Sequence, residues 1–192
     1  MALAAQIKVD TAEVDRLLKG LGRASDRIIT RALNRTANSV KTAGVRAIAK
    51  DLRVPQKSVR AAVRVEKATF NKRQAAVEAT GERLPLMAFG ARQTKRGVTY
   101  KAQQGRSLVR GAFIQTMPSG HEGVFARTGR KKRMTKGNYK GQLRETIREL
   151  YGVSIPYVMV QKHIVNAMDD RGAEVWPVEI KRQLQSYVKR GR

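Results

Sequence analysis

Between residues 24 and 52, Ile29, Leu33, Thr36, Val40, Ala43, Ala47 and Ile48 recur at spacings of three and four, apart from one adjacent pair. They share one face of a helix. The stretch holds no proline and is rich in helix formers, so the pattern predicts a single long amphipathic helix over 24–52. Upstream, Asp10 and Glu13 have capping-box spacing ahead of Val14, Leu17 and Leu18. They predict a short helix over 11–19, ended by Gly20 and Gly22. Downstream, Val54 is pushed towards extended geometry by Pro55, itself a first-turn residue of a short helix over 55–62.

The periodicity then changes from helical to alternating. Ala62 to Ala68, Ala75 to Thr80, Leu84 to Gly90, Val98 to Ala102, Leu108 to Thr116 and Val124 to Arg127 alternate between turn signals. They predict antiparallel strands. Residues 128–142 have almost no apolar content and predict a mobile basic loop. After it, Val153 to Tyr157 leads through Pro156 into a helical pattern of Val158, Val160, Ile164, Val165 and Met168, ending near Gly172. A last helix is expected over 173–189, with Trp176, Ile180, Leu184, Tyr187 and Val188 on its apolar face and Pro177 in its first turn. The expected fold is α+β: one domain over 1–192, with a long N-terminal helix and C-terminal helices packed on a mostly antiparallel sheet.

Composition changes this picture chiefly through charge. The 192 residues are 41% hydrophobic but only 5% aromatic, which suits small-residue helix packing. Forty Lys and Arg against fifteen Asp and Glu leave +25, which predicts an anionic neighbour: nucleic acid, an acidic protein or a membrane surface. The charge peaks in the middle, with thirteen basic residues and one acidic over 91–141. On the long helix, Arg23, Arg27, Arg31 and Arg35 sit four apart, each like-charged pair costing roughly 0.2–0.5 kcal/mol, with only Asp26 near in sequence. Arg46, Lys50 and Arg53 extend that face. Arg130, Lys131, Lys132 and Arg133, with Lys136 and Lys140, form a second cluster suited to phosphates or an acidic rim. The absence of cysteine removes disulfides and thiolate metal sites. The start of the chain has neither a charged leader nor a long apolar run, and no segment approaches a membrane span, so neither secretion nor a membrane partner is expected.

Candidate chemistry is sparse. His121 and His163 lie far apart and outside zinc spacings, so no metal is expected, and His121 reads as a turn residue in Ser-Gly-His-Glu-Gly. Asp169 and Asp170 read as a polar helix end near Gly172 rather than an acid–base pair. There is no phosphate loop and no nucleophile elbow. Neither an enzyme nor a cofactor is expected. Arg110-Gly111-Ala112-Phe113-Ile114 falls short of an RNA-recognition strand, since Ala112 stands where the first aromatic would be. With four Phe and five Tyr, nucleic-acid contact is expected through the backbone rather than by stacking on bases.

Three blocks carry a resemblance: Leu84-Pro-Leu-Met-Ala-Phe-Gly-Ala-Arg-Gln-Thr-Lys-Arg-Gly-Val98, Gly111-Ala-Phe-Ile-Gln-Thr-Met-Pro-Ser-Gly-His-Glu-Gly-Val-Phe-Ala-Arg127, and Leu150-Tyr-Gly-Val-Ser-Ile-Pro156. In order and spacing they resemble the phage minor tail protein Z family, and Ala-Leu-Asn-Arg-Thr-Ala at 32–37 extends the likeness. Its marker residues here are Phe89, Gly90, Arg92, Gly111, Ala112, Phe113, Gly120, His121, Gly123, Phe125 and Arg127. One departure is the insertion of residues 136–147 before the Leu-Tyr-Gly block.

The resemblance implies a structural tail-completion component of the virion. It would be assembled in the host cytoplasm and added where a long tail meets the head, and analogy with neck proteins implies a sixfold ring of copies. Its implied partners are the tail terminator, tail tube and head-connector proteins, and double-stranded phage DNA gripped by its backbone. The competing reading of the same charge is a non-sequence-specific nucleic-acid-binding protein outside any virion. That reading leaves the order of the three blocks without explanation.

Overall fold

The computed structural model describes residues 3–5, 16, 18, 21–81, 83–102, 105–137 and 139–190, with Arg23 and residues 3–5 described by their backbone alone. The helix expected over 11–19 lies, apart from Arg16 and Leu18, outside the described residues. The chain forms two compact units, the first of Met1–Lys50, Gln56–Glu82 and Ser154–Arg192, the second of Asp51–Pro55 and Arg83–Val153.

The first unit is built on helix α1, Arg23–Leu52, as its periodicity dictates. Ile29, Leu33, Thr36, Val40 and Ile48 are buried, joined by Ile28, Ala32, Ala37, Val45 and Ala49. The buried stripe is therefore wider than the expected seven positions, while Ala43 and Ala47 lie only half-buried at its margin. Past the helix end, Arg53 takes a left-handed φ of 54° ahead of Pro55, so turning and proline together stop the helix. Helix α2, Gln56–Ala62, follows. Strands β1 (Leu3–Ala5), β2 (Val63–Glu66) and β3 (Ala76–Ala79) make an antiparallel sheet in the order β1-β3-β2, with Val63 opposite Ala79 and Val65 opposite Val77.

The C-terminal part departs from expectation. A short helix α3, Ile155–Met159, is followed by one continuous helix α4, Lys162–Lys189, where two helices parted at Gly172 were expected. Gly172 is buried in a stripe with Ile164, Met168 and Trp176, each four residues from the next, so it lies on the packed face of the helix rather than at a helix end. Pro177 thus lies inside a helix, where it removes one hydrogen bond at a cost of about 3 kcal/mol. Pro177 and Ala173, whose carbonyl loses its donor, are both exposed, and Trp176 beside them is only 8% exposed in the core formed with Leu18, Ile28, Ile29, Ala32, Leu33 and Ala68. Asp169 and Asp170 accordingly sit mid-helix and exposed, not at a helix end.

Helices α1 and α4 run antiparallel, meeting at Gly44 and Met168 and again at Arg35 and Glu179. A Cβ on Gly44 would stand 2.9 Å from the Met168 Sδ, so the helices approach closely here and a side chain at 44 would have to displace the flexible thioether. Asn34 pins the neighbouring segment to α1: its Nδ2 donates to the Ala68 carbonyl at 3.0 Å and its Oδ1 accepts from the Ala68 N–H at 2.7 Å. This gives the 32–37 block a structural task that the sequence did not disclose.

The second unit is a set of small antiparallel sheets rather than the single sheet expected. Strand β4 (Arg83–Pro85) pairs with β11 (Tyr151–Ser154), and the expected strand to Gly90 becomes a 3-10 turn over Leu86–Phe89, closed by Gly90 at φ 62°. Strands β5 (Arg92–Thr94), β6 (Gly97–Ala102) and β7 (Gly105–Arg110) form a meander. The stretch Leu108 to Thr116 is divided at Gly111, φ 69°, into β7 and β8 (Phe113–Thr116). Strands β8, β9 (Glu122–Arg133) and β10 (Leu143–Glu149) make the remaining sheet. Residues 128–133 are therefore strand, and the connection between strands shrinks to 134–142.

Candidate functional site

Two basic surfaces stand out, one in each unit. In the second unit, β9 changes character along its length: Gly123, Val124 and Phe125 are buried, while everything from Arg127 to Arg133 is exposed. Its partner β10 runs antiparallel, with Arg133 opposite Leu143, Lys132 opposite Arg144 and Lys131 opposite Glu145. The register then shifts, so that Thr128, Gly129 and Arg130 face Thr146 alone before Ile147 meets Arg127. Gly129 at φ 74° makes this bulge. The Thr128 hydroxyl donates to the Thr146 carbonyl at 3.1 Å and the Thr146 hydroxyl to the Arg130 carbonyl at 3.3 Å, binding the bulge across the strands.

Arg130, Lys131, Lys132 and Arg133 alternate along an extended strand, so both faces of the hairpin are positive. Lys136 and Lys140 are exposed in the 134–142 connection. Beyond these, Arg127, Arg144 and Arg148 lie on the same two strands, making nine basic residues against Glu145 alone between 127 and 148. Lys132 directly opposite Arg144 is a repulsive cross-strand pair. Arg144 is drawn instead over the Tyr139 ring, 3.8 Å from its centre, and Arg133 donates to the Gly141 carbonyl at 3.0 Å.

The family-marker residues build the base of this hairpin. Phe113 and Phe125 pack with ring centres 6.2 Å apart, and the Arg127 guanidinium lies 5.7 Å from the Phe113 ring centre. Ala112 and Phe89 are buried, with Phe89 edge-on to Tyr100, and Arg92 is exposed on β5. Gly120 at φ 80° turns the chain from β8 into β9, where the Met117 N–H donates to the His121 carbonyl at 2.8 Å. His121 is thus a turn residue, and its side chain has a further task. Its Nε2 lies 2.9 Å from Glu149 Oε1, while Glu149 Oε2 accepts from the Tyr151 hydroxyl at 2.8 Å. That hydrogen bond from the phenol to a carboxylate, followed by burial, raises the Tyr151 pKa above its ordinary value. Gly123 permits the arrangement, since a Cβ there would stand 2.9 Å from Glu149 Oε1. Glu149 and Tyr151 were not singled out from sequence, where their hydrogen-bonding partners are up to 28 positions away.

In the first unit, Arg27, Arg31 and Arg35 are exposed along α1, as expected; the Arg23 side chain lies outside the described set. Relief of their repulsion comes from elsewhere than Asp26, which is paired with Arg73. Glu179 of α4 lies 3.6 Å from Arg35 and 3.4 Å from Arg182. Arg182 and Ser186 of α4, with Arg190 just past its end, then face Arg31 and Arg35 across a cavity of about 510 Å³, with Gln183 in its wall. A smaller cavity of about 80 Å³ adjoins it beside Arg27 and Tyr187. The sequence held a signal for the α4 half: Arg182, Ser186 and Arg190 repeat the four-residue spacing of Arg27, Arg31 and Arg35.

Among the described residues no group of three or more His, Asp or Glu is placed to hold a metal ion, and no helix is long and apolar enough to cross a membrane. Comparison with known proteins gives a specific result. The chain is 31% identical over 117 residues to the tail completion protein of Escherichia phage N15, an alignment taking in 57% of this chain and 64% of that protein. No solved structure matches. Residues 9–190 match the prophage minor tail protein Z (GPZ) family, and with both the marker blocks and nearly the whole chain inside that match, the protein belongs to this family of phage minor tail proteins.

Proposed function

We propose that this chain completes the phage tail at its head-proximal end. It forms a sixfold ring there and joins the tail terminator and tail tube to the head connector without performing a reaction. The observation that carries the reading is the β9–β10 hairpin: a two-stranded ribbon, exposed from Arg127 to Arg133 and positive on both faces. Six copies of +25 bring about +150 into one ring, which closes only against abundant negative charge. A DNA duplex in the passage supplies that charge, and Lys and Arg on an extended strand meet phosphates without reading bases, as a moving genome requires.

The test is positional and functional. Copies labelled in intact virions should appear as one ring at the head-proximal end of the tail; label spread along the tube or at the distal tip would overturn the placement. Replacing Arg130, Lys131, Lys132 and Arg133 together by Gln should leave folding intact and lower the yield of infectious particles. In the purified protein the same change should flatten the salt dependence of duplex affinity by about three to four units of slope. A normal titre with an unchanged slope would remove the hairpin from DNA.

A further inference from the structure

The groove between α1 and α4 differs from the hairpin in shape and in chemistry. It is concave, about 510 Å³, and its cations are all arginine: Arg31 and Arg35 from one helix, Arg182 from the other and Arg190 just past its end. The guanidinium groups of Arg31 and Arg190 make no hydrogen bond or ion pair among the described residues, whereas those of Arg35 and Arg182 are held by Glu179. Two guanidinium groups are thus set in place and two are free to take a ligand.

Gln183 supplies an independent observation. The residue is only 7% exposed, its side chain makes no hydrogen bond to the described residues, and it lines both the main cavity and its smaller neighbour. The amide is not among the buried unpartnered atoms, so its polar end opens into the cavity, where a ligand offering both a donor and an acceptor can pair with it.

We infer that this groove is a docking site for a carboxylate-bearing peptide segment of a neighbouring protein, and that DNA is left to the hairpin. The inference deepens the tail reading by giving the chemistry of the protein partner. A guanidinium fork matches a planar carboxylate with two parallel hydrogen bonds. An amide needs a donor as well as an acceptor opposite it, and a peptide backbone offers both, whereas a phosphodiester offers acceptors alone. Shape decides in the same direction. A duplex is a convex rod whose phosphates meet protruding cations, while a cleft between two helices receives an inserted chain.

The experiment compares a short blocked peptide of alternating Glu and Ser with a DNA duplex of about 20 base pairs, by fluorescence anisotropy on the whole protein at about 0.15 M salt. The groove variant is Arg31→Gln/Arg35→Gln/Arg182→Gln. The control, Lys57→Gln/Arg60→Gln/Lys67→Gln, removes the same charge from exposed positions outside the groove. The groove variant should weaken the peptide about tenfold and the control less than about twofold, with both variants changing duplex affinity equally. Gln183→Leu, which keeps every charge, should weaken the peptide about threefold and leave the duplex unchanged. Equal loss of peptide affinity in groove variant and control, a groove effect on the duplex as large as on the peptide, or a Gln183→Leu protein that binds peptide normally would each overturn the assignment. Labelled copies found away from the head-proximal end would remove the tail reading while leaving these affinities standing, so the two failures are distinct.

Discussion

The arginines of the α1–α4 groove and the cations of the β9–β10 hairpin carry one sign of charge on opposite kinds of support. In the groove, Arg31, Arg35 and Arg182 rise from helices whose other face lies against a core of Ile28, Ile29, Leu33 and Trp176, Arg190 follows directly at the end of α4, and Glu179 fixes Arg35 and Arg182. On the hairpin, Arg130 to Arg133 stand on a strand exposed on both faces, held by main-chain pairing and by the Thr128–Thr146 bulge contacts. Charge on a braced helix pair makes a shaped site, whereas charge on a two-stranded ribbon makes a contact that tolerates displacement along its partner.

The sharpest way to break this contrast is to remove the brace. Trp176→Ala empties the centre of the helix core and should destabilise the first unit by about 3–5 kcal/mol, abolishing the groove with it. Thermal unfolding followed by circular dichroism measures the loss. Amide exchange should show the β9–β10 pairing protected at temperatures where α1 and α4 have opened. Simultaneous loss of both would show that the hairpin depends on the helix core.

In the second unit the corresponding brace is the contact of Gly152 with Phe89. A Cβ at 152 would run into the Phe89 ring, whose own seat is buried, so Gly152→Ala should cost about 1–3 kcal/mol. Denaturant unfolding with Tyr100 fluorescence near the ring would report it. By contrast, Gly44→Ala in α1 meets the flexible Met168 thioether and gains helix propensity, so it should fall within about 1 kcal/mol of wild type.

Weaker still is the bulge. Gly129→Val places a β-branched residue at φ 74° and should open the outer hairpin by about 1–2 kcal/mol. Exchange of the amides over 130–133 should speed up while the unit's melting temperature stays put. If the duplex affinity of this variant falls as far as in the fourfold Gln variant, ordered strand geometry matters to DNA contact as much as charge.

What was legible in the sequence follows the same division. Helix α1 announced itself because thirty residues repeat one period, and its arginine stripe came with it. Gly172 and Pro177 misled because one is a local stop signal and the other a first-turn signal, both overruled by the buried stripe of Met168, Gly172 and Trp176, which no local rule sees. The far half of β9 and all of β10 were hidden for a different reason. A ribbon with no buried residue on either face has nothing to impose alternation, so Thr128 to Arg133 and Leu143 to Glu149 carried no strand period to read. The arginine groove was half legible, since each helix shows its own four-residue stripe, but only packing reveals that the stripes face each other across Gln183.

The smallest expected effect lies where the hairpin meets its base. The Tyr151 hydroxyl donates to Glu149, which also meets His121, so ionising the phenol would set a phenolate against a carboxylate. The folded-state pKa of Tyr151 is therefore raised, first by that hydrogen bond and then by burial. A raised pKa means the stabilisation is fully present below the unfolded value of about 10 and is lost as pH climbs through the folded value. Because the side chain is about half exposed, solvent screens the interaction and the effect stays in the tenths of a kcal/mol. Comparing wild type with Tyr151→Phe in denaturant, the stability gap should be constant at neutral pH and should narrow above about pH 10. A gap that widens there would mean the phenol is better placed as phenolate, and that Glu149 is held by His121 alone.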